Sequence, residues 1–168
     1  MSGQSLVEVL FRPAMRGYFI PLTAGLLLTA STFLPWVVIG DTPLIGMPAV
    51  PALWVAGLGA LAAILAALSI VTRRNSRHPL LVVGLAALGI MILSWRIMPR
   101  SAGERALTLK QAFAIVENTP LTETPTALVG SGIYLGLAAS AAIVAFGLTI
   151  VVKRASQAYA VTSPDDDV

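Results

Sequence analysis

The segment of residues 73–78, RRNSRH, concentrates the side chains of this chain that could do polar chemistry. It contains Arg73, Arg74, Arg77 and His78, the only histidine in the sequence. Histidine can bind metals, but the charge of the adjacent arginines repels a metal cation. Because long apolar runs flank the segment, we predict a cytoplasmic topology cluster. Contact with a phospholipid headgroup or a partner is the alternative.

The rest of the sequence contains few groups suited to catalysis. There is no cysteine, which excludes disulfides, thiolate metal sites and thiol nucleophiles. A single histidine rules out HExxH, and neither GxxxxGK[ST] nor GxGxxG occurs. The polar residues within the apolar runs carry hydroxyls, which can donate to carbonyls of their own helix. We therefore predict a protein that is not an enzyme, with no metal site and no resident cofactor.

Long apolar runs flank the basic segment and contain the hydroxyl residues, so these runs determine where the polar side chains lie. The 168 residues are 57% hydrophobic and 11% charged, with a mean hydropathy of +0.85, whereas a soluble domain has about 25% charged residues. About 20 helical residues cross the roughly 30 Å of hydrocarbon in a bilayer. Four runs are long enough, at residues 18–39, 52–72, 79–97 and 127–152. We predict an all-α integral membrane protein with four transmembrane helices.

The distribution of basic residues predicts the orientation of these helices. With both termini in the cytoplasm, seven of the eleven Lys and Arg residues face inward: Arg12, Arg16, Arg73, Arg74, Arg77, Lys153 and Arg154. This gives a cytoplasmic segment 1–17, a membrane domain 18–152 with an outer loop 98–126, and a cytoplasmic tail 153–168. A multi-pass protein of a bacterial-type inner membrane is the expected location. Although the pI is 9.8, the scattered basic residues argue against a nucleic-acid partner.

Aromatic and basic residues at the ends of the runs are predicted to lie at the outer membrane surface. Trp36, Trp54 and Trp95 each fall near the outer end of a run. An indole ring at this level keeps its apolar face in lipid and its N–H near water. Arg96 follows Trp95 and can extend its charge toward the surface. We predict these four residues to be interfacial anchors.

The outer loop contains a helical pattern. Leu109, Ala112, Phe113 and Val116 are spaced as one face of a helix, which predicts a short amphipathic helix after Thr108 as N-cap. Asn118, followed by Pro120, is expected to end it. Such a short helix is marginal alone in water, so its apolar face needs a cover: the bilayer surface, the helix ends of this chain, or a partner. We predict an outer docking helix.

Small residues form two stripes that suit close helix packing. The second run has Ala56, Ala60, Ala63 and Ala67, and the fourth has Gly132, Gly136 and Ser140. Small side chains let helix backbones approach closely in a membrane. The stripes can serve packing inside the chain or a seam with a partner or a second copy.

Together these features favour a non-catalytic accessory or scaffold subunit of a larger respiratory, photosynthetic or transport assembly. Its expected partners are other integral membrane subunits and phospholipids, and a homo-oligomer is an option. One alternative is a small oligomeric transporter or channel. Another is a module that binds a lipid, a quinone or a pigment such as a carotenoid. No motif in the sequence resembles a particular family.

Overall fold

The computed structural model describes residues 16–72, 76–118, 120 and 126–158, with only the backbone described at Arg16 and at 150–158. A 3-10 turn, Arg16–Tyr18, leads into four helices and three short strands. In chain order these are α1 (Phe19–Ser31), β1 (Pro35–Ile39), β2 (Thr42–Ile45), α2 (Val50–Thr72), α3 (Arg77–Glu117), β3 (Ala127–Val129) and α4 (Ser131–Ala158).

The predicted first span, 18–39, divides into the helix α1 and the strand β1. α1 has 13 residues and is about 20 Å long at 1.5 Å per residue. Pro35 has no N–H to donate to a helix, and it disfavours helical backbone at Leu34. The β-branched residues that follow, from Val37 to Ile39, suit an extended strand. The proline therefore marks the change from helix to strand.

The three strands form a small antiparallel sheet in the order β2-β1-β3. Val37 in the central strand pairs with Leu44 on one side and with Val129 on the other. Gly40, at a φ of +57°, makes the turn from β1 to β2, a conformation that favours glycine. The all-α prediction is corrected by this sheet. The predicted span 127–152 begins with strand β3, and the helix that follows reaches Ala158.

The third helix is much longer than predicted. α3 has 41 residues and contains Pro99, so the span 79–97 and the separate outer helix form one element of about 60 Å. Thr108 is not an N-cap: its hydroxyl donates to the carbonyl of Glu104 at 2.9 Å within the helix. Strand β3 supports the outer part, since a Cβ added at Gly103 would lie 3.5 Å from the Cβ of Ala127. α3 ends at Asn118, in left-handed conformation.

The four helices pack in a ring, each against two neighbours, in the order α1, α2, α3, α4 and back to α1. Glycine permits a close approach between α1 and α2. A Cβ added at Gly25 would lie 2.7 Å from the backbone nitrogen of Ala63 and 2.8 Å from the carbonyl oxygen of Gly59. Leu28, Val55, Leu80, Met91 and Ile143 fill the interior of the ring.

The outside of the ring is apolar. Among the described residues, three helices are long and apolar enough to cross a membrane, within Val50–Thr72, Arg77–Glu117 and Ser131–Thr149, and α1 is a shorter apolar helix. Large apolar side chains such as Leu26, Ile64, Val82 and Leu85 are exposed on their outer faces. These properties are compatible with a membrane protein and suggest membrane association.

Candidate functional site

The start of α3 is joined to the 3-10 turn before α1 and to α4 by an aromatic cluster. The guanidinium carbon of Arg77 lies 5.4 Å from the centre of the Phe146 ring, close enough for a cation–π interaction. Tyr18 meets the same ring edge-on at 5.1 Å, and its hydroxyl accepts a hydrogen bond from the backbone N–H of Ser76 at 3.3 Å. His78 is exposed. Arg77 therefore takes part in helix packing.

The remaining members of the predicted basic cluster, Arg73 and Arg74, lie outside the described residues. Sequence reasoning did not find Tyr18 or Phe146 as the neighbours of Arg77. These contacts join residues far apart in the chain, and no local pattern signals them.

The other end of the bundle is closed by Trp36 and the sheet. Trp36 is only 1% exposed, and its indole Nε1–H donates to the carbonyl of Ser31 at 2.9 Å. Gly46 and Gly132 leave room for the indole, since a Cβ at either would lie within 2.7 Å of a ring atom. Trp36 thus links β1 to the last residue of α1 through this hydrogen bond and its buried ring.

The other three predicted anchors lie on the outside of the bundle. Trp54 is 64% exposed on α2, Trp95 is exposed on α3, and Arg96 beside it is exposed as well. Exposed indole rings are suited to the boundary between lipid and water. The four anchor candidates therefore occupy two different environments.

The predicted stripe of α2 is divided between the inside and the outside of the ring. Ala63 is buried, Ala56 and Ala67 are half-buried, and Ala60 is exposed. Besides Ala63, the buried small residues of this helix are Ala52, Gly59, Ala62, Ala66 and Ser69. The helix face that packs is therefore rotated relative to the predicted stripe.

The predicted stripe of α4, formed by Gly132, Gly136 and Ser140, is buried inside the chain. Added Cβ atoms at the two glycines would collide with neighbouring groups, among them the carbonyl oxygen of Ser31 and the side chain of Met91. These three residues contribute to internal packing.

Four buried hydroxyls, those of Ser31, Thr32, Ser69 and Ser140, are hydrogen-bonded within their own helices or the turn that follows. Ser31 donates to Leu28 and Ser69 to Leu65, each at 2.7 Å, and Ser140 donates to Leu137 at 3.0 Å. Thr32 donates to the carbonyl of Thr29 at 2.7 Å. In the part of the chain that the structure describes, no three His, Asp or Glu residues are grouped to hold a metal. The bundle interior thus offers packing, and these four hydroxyl groups already donate to backbone carbonyls.

The last turns of α3 form a surface that we name the projecting end, residues 108–117. The predicted docking residues Leu109, Ala112, Phe113 and Val116 are all exposed there, Phe113 to 62% and Val116 to 82%. Ile115, also strongly exposed, lies beside this face. Within the described residues, the projecting end thus presents an apolar helix face that the bundle does not cover.

No protein-family model, no curated protein and no solved structure matches this chain. The fold and surfaces define a predominantly helical protein with membrane-compatible helices and a small sheet closing one end of the bundle. Its function is therefore inferred from the surfaces described above.

Proposed function

We propose that this protein is a non-catalytic membrane subunit that docks a larger assembly through the projecting end of α3. The observation that supports this proposal is the exposed apolar face of Leu109, Phe113 and Val116 at the end of a 41-residue helix. A helix of about 60 Å is about twice as long as the hydrocarbon layer is thick. Its last turns therefore extend beyond the lipid, where water makes an uncovered apolar face unfavourable.

The chemistry of this face favours a protein partner with an apolar groove. An amphipathic helix can bind such a groove through side chains at i, i+3, i+4 and i+7. Leu109, Ala112, Phe113 and Val116 have this spacing. Lys110 and Glu117 are exposed in the same segment, so the rim of the interface carries both signs of charge. The proposed partner is another integral membrane subunit of the same assembly.

In the proposed arrangement the chain crosses a bacterial-type inner membrane four times, with both termini in the cytoplasm. The first crossing is made by the short helix α1, and β1 continues it at its outer end. β1 is the central strand of the sheet. Non-helical backbone is tolerated at membrane depth where protein surrounds it, and Trp36 and Val37 in β1 are buried.

The orientation can be tested by thiol labelling, because the chain has no cysteine of its own. A cysteine introduced at Asp41, in the turn between β1 and β2, should react with an impermeant reagent on intact cells. A cysteine at Asn75 should react only after the membrane is opened. The reverse pattern would overturn the proposed orientation.

Docking can be tested by mild detergent purification of the full chain from its native membrane. We expect a defined set of larger membrane subunits to accompany the protein. The double variant Leu109→Glu/Phe113→Glu should lose them, because the two carboxylates would be desolvated in an apolar groove. Gln111→Glu, on the opposite face of the same helix, is the matched control and should keep them. Equal recovery with both variants would refute docking through this face.

The transporter or channel alternative remains a prediction. The buried hydroxyls described above already donate to backbone carbonyls, so they do not favour a polar path.

A further inference from the structure

A cleft between the outer parts of α2 and α3 is a second surface with no assigned role. Its volume is about 280 Å³, and it is lined by Val50, Pro51 and Trp54 of α2 and by Ile90, Leu93, Ser94, Ile97 and Met98 of α3. Apart from Ser94, the lining side chains are apolar. Pockets for small molecules have volumes of roughly 300–1,000 Å³. The cleft lies near the lower end of this range, so its size suits one slender hydrocarbon chain better than a bulky ligand.

The cleft opens toward the outside of the bundle. Trp54, Leu93 and Ile97 line it and are also largely exposed. These residues belong to two of the helices that are long and apolar enough to span a membrane. In a bilayer, the molecule next to this opening would be a lipid, and its acyl chain matches the apolar lining.

The face of α3 that lines the cleft becomes polar directly above it. Ser101 follows Ile97 by four residues, and Arg105 follows Ser101 by four, so the three share one face. Ser101, Glu104, Arg105, Thr108 and Leu109 border a shallow, open hollow along one side of this helix. The change from apolar to polar takes about one helical turn, or roughly 5 Å.

The hollow carries one charge of each sign. Arg105 can donate two hydrogen bonds to a phosphate, and the carboxylate of Glu104 can accept hydrogen bonds from an ammonium group. This arrangement complements a zwitterion. A headgroup with net negative charge would leave Glu104 without a cationic partner, and a trimethylammonium group has no N–H to donate to it.

We infer that this face of α3 binds one phospholipid with a phosphoethanolamine headgroup, its acyl chain in the cleft and its headgroup between Arg105 and Glu104. The inference rests on the proposal that α2 and α3 lie in a bilayer. It does not depend on a protein partner at the projecting end. The bound lipid would fill the outer seam between α2 and α3.

Native mass spectrometry of the full chain tests this site. The protein is reconstituted with equal amounts of phosphatidylethanolamine, phosphatidylglycerol and phosphatidylcholine, and the retained lipids are identified after mild detergent removal. We expect one phosphatidylethanolamine, retained about tenfold over the other two, because charge-assisted hydrogen bonds have about this effect on affinity. Retention of no lipid, or equal retention of all three, would overturn the inference.

Three substitutions separate the headgroup contacts from nonspecific charge. Arg105→Gln and Glu104→Gln should each reduce retention about tenfold, since each removes one charge-assisted contact. Arg96→Gln is the control: Arg96 is an exposed arginine of the same helix that does not line the cleft or the hollow, and its loss should leave retention unchanged. Unchanged retention in Arg105→Gln and Glu104→Gln would contradict the headgroup assignment, and so would an equal loss in Arg96→Gln.

A fourth variant tests the position of the acyl chain. Ile97→Trp adds bulk to the cleft at an exposed position, so it should block the chain while the thermal transition stays that of the wild type. Retention at the wild-type level would contradict binding in the cleft. Phe113→Glu alone, which should weaken docking and does not border the hollow, should retain the lipid, so each proposal can fail without the other.

Discussion

The two halves of α3 contrast sharply, although they form one uninterrupted helix. In the first half, Leu80, Ala87 and Met91 are buried against neighbouring helices, and the remaining apolar side chains face outward along the bundle. At the projecting end, Leu109, Phe113 and their apolar neighbours are exposed, and none of the described residues covers them. Identical side-chain chemistry thus meets different surroundings at the two ends of one helix.

This contrast separates two reasons why a surface or core position is apolar: packing in the bundle and bilayer, or association with a partner. In the first half, internal packing and the proposed bilayer can account for the apolar side chains. Neither accounts for the projecting end, which lies beyond the length of helix that a bilayer covers. Substitutions in the first half should therefore change the stability of the isolated protein, whereas substitutions at the projecting end should change only its association.

The largest expected effect is the loss of Met91. Its side chain is fully buried and contacts Gly136, so Met91→Ala leaves a cavity and should reduce the free energy of unfolding by about 2–5 kcal/mol. Phe113→Ala removes an even larger side chain at the projecting end and should change it by less than about 0.5 kcal/mol. Unfolding in detergent by chemical denaturant measures both. Equal losses would show that the projecting end is packed within the monomer.

A smaller loss is expected where α1 meets α2. Gly25→Ala places a methyl group against the backbone of Gly59 and Ala63, and we expect a loss of about 1–3 kcal/mol from overpacking. Gly57→Ala, on α2 with no atom within 4 Å of the added Cβ, should stabilise the helix by about 0.5–1 kcal/mol. The same denaturation experiment compares the two. A gain in both variants would indicate that helix propensity, and not the close approach, decides the result.

Trp36→Phe keeps an aromatic ring and removes the indole N–H. The buried carbonyl of Ser31 then keeps only the longer hydrogen bond from the backbone N–H of Leu34, at 3.3 Å, and we expect a cost of about 0.5–1.5 kcal/mol. Trp54→Phe, at a largely exposed position, is the control and should be close to neutral. Thermal unfolding followed by circular dichroism reports both. A neutral Trp36→Phe would mean that the hydrogen bond does not hold the sheet.

The smallest effect is expected at the start of α3. Arg77→Gln removes the cation above the Phe146 ring and should reduce stability by about 0.5–1 kcal/mol. The exposed neighbour His78 provides the control His78→Gln, for which no change is expected. If both variants are neutral, Arg77 does not stabilise the first half of α3.

Local sequence patterns predicted part of this fold. The predicted span 52–72 lies within two residues of α2, Val50–Thr72, because its ends coincide with the ends of a continuous apolar run. Asn118 ends α3 as the sequence indicated, since asparagine readily adopts left-handed backbone. Both features depend only on residues close together in the chain.

The sheet and the length of α3 could not be predicted in the same way. Strand β1 pairs with β3 across a long separation in sequence, and the short apolar run PWVVI fits a helix or a strand equally well. Beyond Pro99, α3 passes close to β3 at Gly103, and this neighbour is distant in sequence. The cleft between α2 and α3 likewise requires two helices to be placed side by side, which no local pattern specifies.

Photo-crosslinking in living cells tests most directly whether the projecting end binds a partner. A photoreactive amino acid is introduced at Phe113, on the apolar face, and separately at Gln111, on the opposite face. We predict a discrete crosslinked product containing another membrane subunit for position 113, and little or none for position 111. An uncrosslinked protein at both positions, or equal products from both, would contradict docking through the projecting end.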